Sequence, residues 1–422
     1  LDIDVYGGIG RTLKAGGFAI GDVLRNPNGQ TRFQFAAGPD ADESIQSLPA
    51  PPVESAVAEE QEPDLSTGVE QFNSFNFDYD WRRDLIGSAH EFGRFMEQRR
   101  QDVARARNVD PKTVKFDLLA HSMGSMVSRY FLMYGFAEPQ AGEALPPITW
   151  DGAEYFSRVV FVAPPNSGSV IAMDNLINGK SLGPLQPFYP AAMLSTHVSP
   201  YQLMPRPRHQ RVFLNGEPVS DLYDVSLWER YGWGLANPEA ADQLALMMPD
   251  ETDPDRRRTR ALAYKQRLLN RARAFHRMMD RWSPAPDWLD MFLVVGGGFE
   301  TPAGAQVDPV TGAFSITEVG EGDGVVLRAS ALLDERQDGD FTAGLRSPLR
   351  FKTTLFLPDE HVELTKNPVF GDNLLFWLVE APRTTTRLAK PGQADIYARS
   401  GGGAASPQPE ASPVLRTPGN DQ

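Results

Sequence analysis

Between Val114 and Gly124 an apolar run, VKFDLLAHSMG, ends in a sharp glycine-containing turn, and SMVSRYFLMYG then continues with helical spacing to Gly135. Short apolar stretches of the same kind recur as RVVFVAPP at 158–165, MFLVVGGG at 291–298 and KTTLFLP at 352–358. Runs of this length, apolar on both faces and rich in β-branched residues, predict buried strands. SFNFDYDWR at 74–82 alternates aromatic and polar positions and predicts a further strand with a polar exit. Residues 84–107 carry Leu85, Ala89, Phe92, Phe95 and Met96 on one helical face, and residues 1–25 predict one helix and its exit, with Val5, Ile9 and Leu13 on one face and Gly16–Gly17 at the end. Strands alternating with helices predict a mostly parallel sheet covered on both faces.

The pattern divides the chain. Residues 1–38 start the α/β core. From Phe33 to Trp81 there is no Lys or Arg, and 39–70 is an acidic, Pro- and Ser-rich stretch expected to be a disordered insertion. The core with the glycine turn occupies 71–170. Between Ile171 and Asp290 the strand pattern gives way to helical patterns and Pro-rich turns, too long for a plain loop. Residues 171–290 are therefore expected to form a largely helical cap or lid. The core resumes over 291–389, and 390–422, rich in Gly, Pro and Ser, is expected to be a disordered tail. The chain opens on Leu1 with no signal-like segment, and the expectation is a soluble protein cut from a longer one, without its natural N-terminus and first strands.

Composition narrows the chemistry. There is no cysteine, which excludes disulfides, thiolate catalysis and Cys-based metal sites. The formal net charge of −14 argues against nucleic-acid binding. No apolar run reaches the roughly 18 residues of a membrane span. Neither a cofactor nor a metal site is called.

Ala120-His121-Ser122-Met123-Gly124 sits where strand passes to helix, the setting of a nucleophile elbow. Such a turn lifts the Ser122 hydroxyl clear of the sheet at a helix N-terminus. There the backbone N–H of Met123 offers half of an oxyanion hole. Small residues two before and two after are expected because strand and helix approach closely. In an α/β-hydrolase the acid and then the histidine follow the serine in sequence. His90 precedes the turn, His121 is expected to pack beside it, and His197, His209 and His276 fall in the cap. His361 follows the last apolar strand, at the edge where a catalytic base belongs. Asp323, in GEGDGVVLRAS, is presented by flanking glycines and lies before His361; Asp334 and Asp338 are the fallback acids.

In order along the chain, FNFDYDWR, LLAHSMGSMVSRYF, VVFVAPPNSGS, GDGVV and the late His361 resemble lecithin:cholesterol acyltransferase and its bacterial relatives, as does the opening DVYGGIGRTLKAGGF. The resemblance covers scattered blocks from about residue 3 to 380. Tyr79-Asp80-Trp81-Arg82 and the elbow are its most specific parts. It implies an α/β-hydrolase with Ser122, Asp323 and His361 as triad, moving or releasing acyl chains of lipid esters. Two departures stand out. The family's glycine-containing oxyanion loop is not found, Gly7–Gly8 being at a helix start, and Val325 stands where relatives often have Thr.

Within the cap, residues 256–282 carry ten Lys and Arg against one Asp, with Leu268, Ala272, Phe275, Met279 and Trp282 on one face. This is read either as a lid helix in transient contact with a membrane surface or as a solvated cap helix. Trp228, Tyr231 and Trp233 are candidates to line an acyl pocket. The functional expectation is a serine-dependent O-acyltransferase or acyl-ester hydrolase on lipid esters. A general carboxylesterase, a glycosylphosphatidylinositol-type deacylase and a non-catalytic binding protein of the same fold are the alternatives.

Overall fold

A computed structural model of the chain describes residues 7–16, 20–21, 74–140, 142–181, 188–334 and 347–382. The expected acidic insertion, the expected tail and Asp338 lie outside the described residues.

The first half of the core runs α1 (Gly7–Ala15), β1 (Ile20–Gly21), β2 (Ser74–Phe75), α2 (Leu85–Arg107), β3 (Phe116–His121), α3 (Met123–Tyr134), β4 (Phe156–Val162) and α4 (Val170–Asn178). The cap follows with β5 (Lys180–Ser181), β6 (Phe188–Tyr189), α5 (Ala191–Leu194), α6 (Ser199–Gln202), β7 (Arg211–Leu214), β8 (Glu217–Pro218), α7 (Val225–Arg230), α8 (Ala241–Met247) and α9 (Pro254–Met279). The chain then returns through β9 (Asp290–Gly296), β10 (Phe299–Val307), β11 (Phe314–Gly322), α10 (Arg328–Leu332), β12 (Thr353–Leu357) and α11 (Pro368–Leu375).

The central sheet has the order β12-β9-β4-β3, and every pairing in it is parallel. Successive side chains of a strand face opposite ways, which is why these strands read as unbroken apolar runs. Val159 and Phe161 of β4, with Leu293 and Val295 of β9, enter a core formed with α2, α3 and α10. Val160, Val162, Phe292 and Val294 enter a second core with Phe370 and Leu374 of α11, against which Ile9 and Leu13 of α1 pack. At roughly 1.5–3 kcal/mol for each large side chain fully buried, a strand buried on both faces contributes about twice what a half-exposed one does.

Not all strands of the 291–389 stretch join this sheet. β10 and β11 form a hairpin whose β10 edge pairs in parallel with β7, giving a second sheet of order β11-β10-β7-β8. Among the described residues the cap is largely helical, with four short strands, and the hairpin covers it from the far side of the sequence. Two-residue strands such as β8 carry too little periodicity to be seen in sequence.

α9 is anchored in two places and does not stand apart as a hinged lid. Leu268, Leu269 and Ala272 lie in the cap's own core, whereas Phe275, Met278 and Met279 lie in the main core beside α3. Trp282, expected on the same face, lies beyond the helix and is exposed. Polar contacts fix the junction. Asp84 caps α2 by accepting from the Gly87 N–H at 3.2 Å, and it accepts from Gln202 Nε2 at 2.5 Å and from Arg271 Nη2 of α9 at 2.6 Å. His276 Nε2–H donates to the Gln202 carbonyl at 2.7 Å, and its Nδ1 accepts from the Tyr223 hydroxyl at 2.6 Å.

One carboxylate therefore serves as helix cap and as ion-pair partner of the cap. Asp84→Ala is expected to lower stability by about 2–3 kcal/mol, combining a lost N-cap with a part-buried charged hydrogen bond. Urea unfolding measures this; a loss under about 0.5 kcal/mol would show that the junction does not depend on it.

Candidate active site

β3 delivers the chain into Ser122 with φ 53 and ψ −126, a backbone region that residues with a Cβ avoid. Holding it there costs of order 1–3 kcal/mol. The surroundings over-determine it. The Ser122 N–H donates to the Val162 carbonyl of β4 at 2.8 Å, the Ser125 N–H to the Ser122 carbonyl at 3.0 Å, and Ser125 Oγ to the Ala120 carbonyl at 3.0 Å. α3 starts at Met123, whose N–H belongs to the first turn, without an intrahelical partner. One expectation fails at this turn. A Cβ on Gly124 would meet only the Tyr79 hydroxyl, at 3.7 Å, so crowding by the sheet does not force glycine there.

The carboxylate arrives by a longer route than the sequence suggests. After β9 the chain makes the β10–β11 hairpin and only then turns at 323–326. Asp323 is buried, and its Oδ1 accepts from the N–H groups of Val325 at 3.0 Å and Val326 at 2.7 Å. Gly324 takes φ +85, which glycine adopts without strain. Gly296, at the end of β9, is the other required glycine. A Cβ there would collide with Asp323 Cβ and stand 3.0 Å from the Asp359 carbonyl.

His361 follows β12 in a short loop, and its own N–H donates to the Asp323 carbonyl at 2.9 Å. Asp323 Oδ2 lies 2.8 Å from His361 Nδ1, and His361 Nε2 lies 2.8 Å from Ser122 Oγ. A carboxylate only accepts, so Nδ1 carries the proton and the Nε2 lone pair receives the serine hydroxyl. Ser122, Asp323 and His361 are therefore brought into one line of hydrogen bonds from segments 239 residues apart. Asp334 takes no place in that line; its backbone carbonyl receives His209 Nε2–H.

His121 packs beside the elbow, as expected, and does more. Its Nε2–H donates to the His361 carbonyl at 3.0 Å, and the two rings are 4.8 Å apart. Burial, and next the neighbouring His361, push its pKa down to about 4. Only the position beside Ser122 marked His121 in the sequence.

The Tyr79–Arg82 block joins the elbow to the cap. Arg82 grips Asp80 with two bonds of 2.8 Å and holds its carboxyl below the usual range. The Trp81 carbonyl accepts from Ser199 Oγ and the Arg82 carbonyl from the Val198 N–H. The half-exposed Trp81 ring meets His197 edge-on at 5.5 Å. The three cap aromatics are not brought to the serine in this way. Trp228 and Trp233 are buried in the cap core, bonded to the carbonyls of Leu222 and Gly312, and Tyr231 stacks on Trp233 at 5.4 Å. Their indoles hold the cap together.

A parallel sheet covered on both faces, with a strained serine turn where its strand enters a helix, defines an α/β-hydrolase. Residues 65–221 match the family model described as Lecithin:cholesterol acyltransferase. Over that stretch the chain is similar to the lecithin:cholesterol acyltransferase family. A search of curated proteins finds no match. Among solved structures, the crystal structure of the Tle4-Tli4 complex aligns at 13% identity over 74% of this chain and 70% of that one, with a TM-score of 0.46. Lipase 1 from Pelosinus fermentans aligns at 11% identity over 64% and 72%, with a TM-score of 0.28. Among the described residues no helix is long and apolar enough to cross a membrane.

Two imidazoles with lowered pKa, His121 and His276, make the fold acid-sensitive. Above pH 6.5 His121 is neutral both folded and unfolded. Between 6.5 and about 4 the unfolded ring takes a proton that the folded one refuses, so acidification favours unfolding. The loss approaches roughly 3 kcal/mol by pH 4, at 1.36 kcal/mol per unit. His276, pushed by burial and then by Arg206 to about 3, acts in the same direction. His121→Gln is expected to show a shallower fall in urea-unfolding stability from pH 7 to 4.5 than the parent. Parallel slopes would refute it.

Proposed function

We propose that this protein is a serine-dependent hydrolase or O-acyltransferase of lipid esters, working through an acyl-enzyme on Ser122. The observation that carries the proposal is the unbroken Ser122–His361–Asp323 hydrogen-bond line at a strained turn. Ser122 Oγ attacks the ester carbonyl while its proton passes to His361 Nε2. Asp323, held by two backbone N–H groups, stabilises the imidazolium that forms. The Met123 N–H, at the positive end of α3, donates to the developing oxyanion. His361 then returns the proton to the leaving alcohol. Water or an acceptor alcohol resolves the acyl-enzyme by the reverse steps. The lecithin:cholesterol acyltransferase-like segment, which includes the elbow and the Tyr79–Arg82 block, favours a lipid acyl donor over a small polar ester.

Contact with an anionic lipid surface through the start of α9 is weaker support for this reading than its run of arginines suggests. Arg256 lies 3.6 Å from Asp253, Arg257 donates to the Glu251 carbonyl, and Arg258 donates to the Ala236 carbonyl with Glu229 3.4 Å away.

Ser122→Ala and His361→Ala are each expected to reduce turnover of a chromogenic acyl ester by about 10⁴-fold or more, since members of such a unit fail together. Asp323→Asn is expected to be somewhat milder and Asp334→Asn close to the parent. A fluorophosphonate probe should label the parent at Ser122 and leave Ser122→Ala unlabelled. Full turnover by Ser122→Ala would end the proposal, and a silent Asp323→Asn beside a crippled Asp334→Asn would reassign the acid.

A further inference from the structure

We infer that the groove between α8 and α9 in the cap is a binding site for a fatty carboxylate. The groove encloses about 370 Å³ and is lined by Leu235, Leu244, Met247, Met248, Ala261 and Tyr264. On α9, Arg260, Ala263, Tyr264 and Arg267 follow one another at helical spacing on the face turned to the groove. Ala263 is exposed on this face and its short side chain leaves the space open. Met247 at the lip and its neighbour Leu246 are exposed, Leu246 at 82%. A volume near the low end of small-molecule sites admits one alkyl chain and not the two of a diacyl lipid.

The rim selects the head group. Among the described residues Arg267 makes neither an ion pair nor a hydrogen bond, and its guanidinium lies over the Tyr264 ring, 5.4 Å from the centroid. Arg260 has only a loose partner, Glu251 at 3.8 Å, and is largely exposed. Guanidinium groups at an apolar opening match a carboxylate, which they hold with two parallel bonds. The choice of a fatty acid rests on the lipid-ester reading, because that acid is what ester hydrolysis releases.

Titration calorimetry tests the site on protein whose Ser122 has been capped with a fluorophosphonate, using laurate below its aggregation point. Laurate is expected to bind, and dodecyltrimethylammonium at least tenfold more weakly. Ala263→Phe, which fills the groove from an exposed position, and Arg267→Gln are each expected to weaken laurate at least tenfold with unchanged thermal melts. Arg273→Gln, on the same helix but paired with Asp221 at 2.6 Å, should bind as the parent does. Equal affinity for the two amphiphiles, or unaltered binding by Ala263→Phe, would overturn the inference. So would binding seen only before Ser122 is capped, which would put the carboxylate at the triad and leave the esterase reading intact. A doubled mass by light scattering without laurate would also overturn it, with a second copy as the occupant. Groove binding in a protein that turns over no ester would keep the site and remove the esterase reading.

Discussion

The site depends on the parallel register of four strands. His121, Val162, Val294 and Leu355 stand level across β3, β4, β9 and β12. Parallel strands end on one side, so the turn after β3 and the loop after β12 open onto the same edge of the sheet. The β10–β11 hairpin leaves β9 at that edge and returns to it, setting Asp323 against the β9 end at Gly296. A slip of one residue in β12 would reverse which face each of its side chains meets. His361 would then leave both its carboxylate and its serine.

The strain at Ser122 follows from that register. Its N–H is tied to Val162 of the neighbouring strand, and the chain must enter α3 at once. The backbone is thereby held where a lone dipeptide would not stay. The same arrangement points the hydroxyl at His361 and leaves the Met123 N–H without a helical partner. His361 is fixed on three sides, by its N–H on Asp323, its carbonyl on His121 and its ring on Asp323 Oδ2. The geometry on which acyl transfer would depend is therefore held mainly by backbone bonds, which do not reorganise as charge develops.

The cap is held by a different chemistry. Part-buried Arg271 ties α9 to Asp84 of the core, buried His276 ties it to Gln202, which itself donates to Asp84, and aromatic side chains fill the cap's interior. Lys265 is buried there with its Nζ donating to the Trp233 carbonyl at 2.9 Å and lying 4.1 Å from the Trp228 ring centre. Among the described residues it has no carboxylate partner, and burial drives its pKa well down. Trp228 and Trp233 are thus committed to this interior.

By itself the sequence determined what is local. Unbroken apolar runs marked β3, β4, β9 and β12, and the serine between a strand and a helix, with Ala120 two before it and Gly124 two after, marked the elbow. The order of serine, acid and histidine pointed to Asp323 and His361. Each of these is a property of neighbouring residues, carried by side-chain periodicity or by turn chemistry. Only the tertiary structure decided what depends on packing between distant segments. Gly296 is a glycine because Asp323 lies against it, and His121 matters because a carbonyl 240 residues away accepts the hydrogen bond from its Nε2–H. β10 joins a cap strand instead of the central sheet because strand pairing is set by which edge is free, and periodicity cannot record that. The cap tryptophans turned inward for the same reason. An aromatic cluster reads alike in sequence whether it lines a pocket or fills a core, and burial alone separates the two.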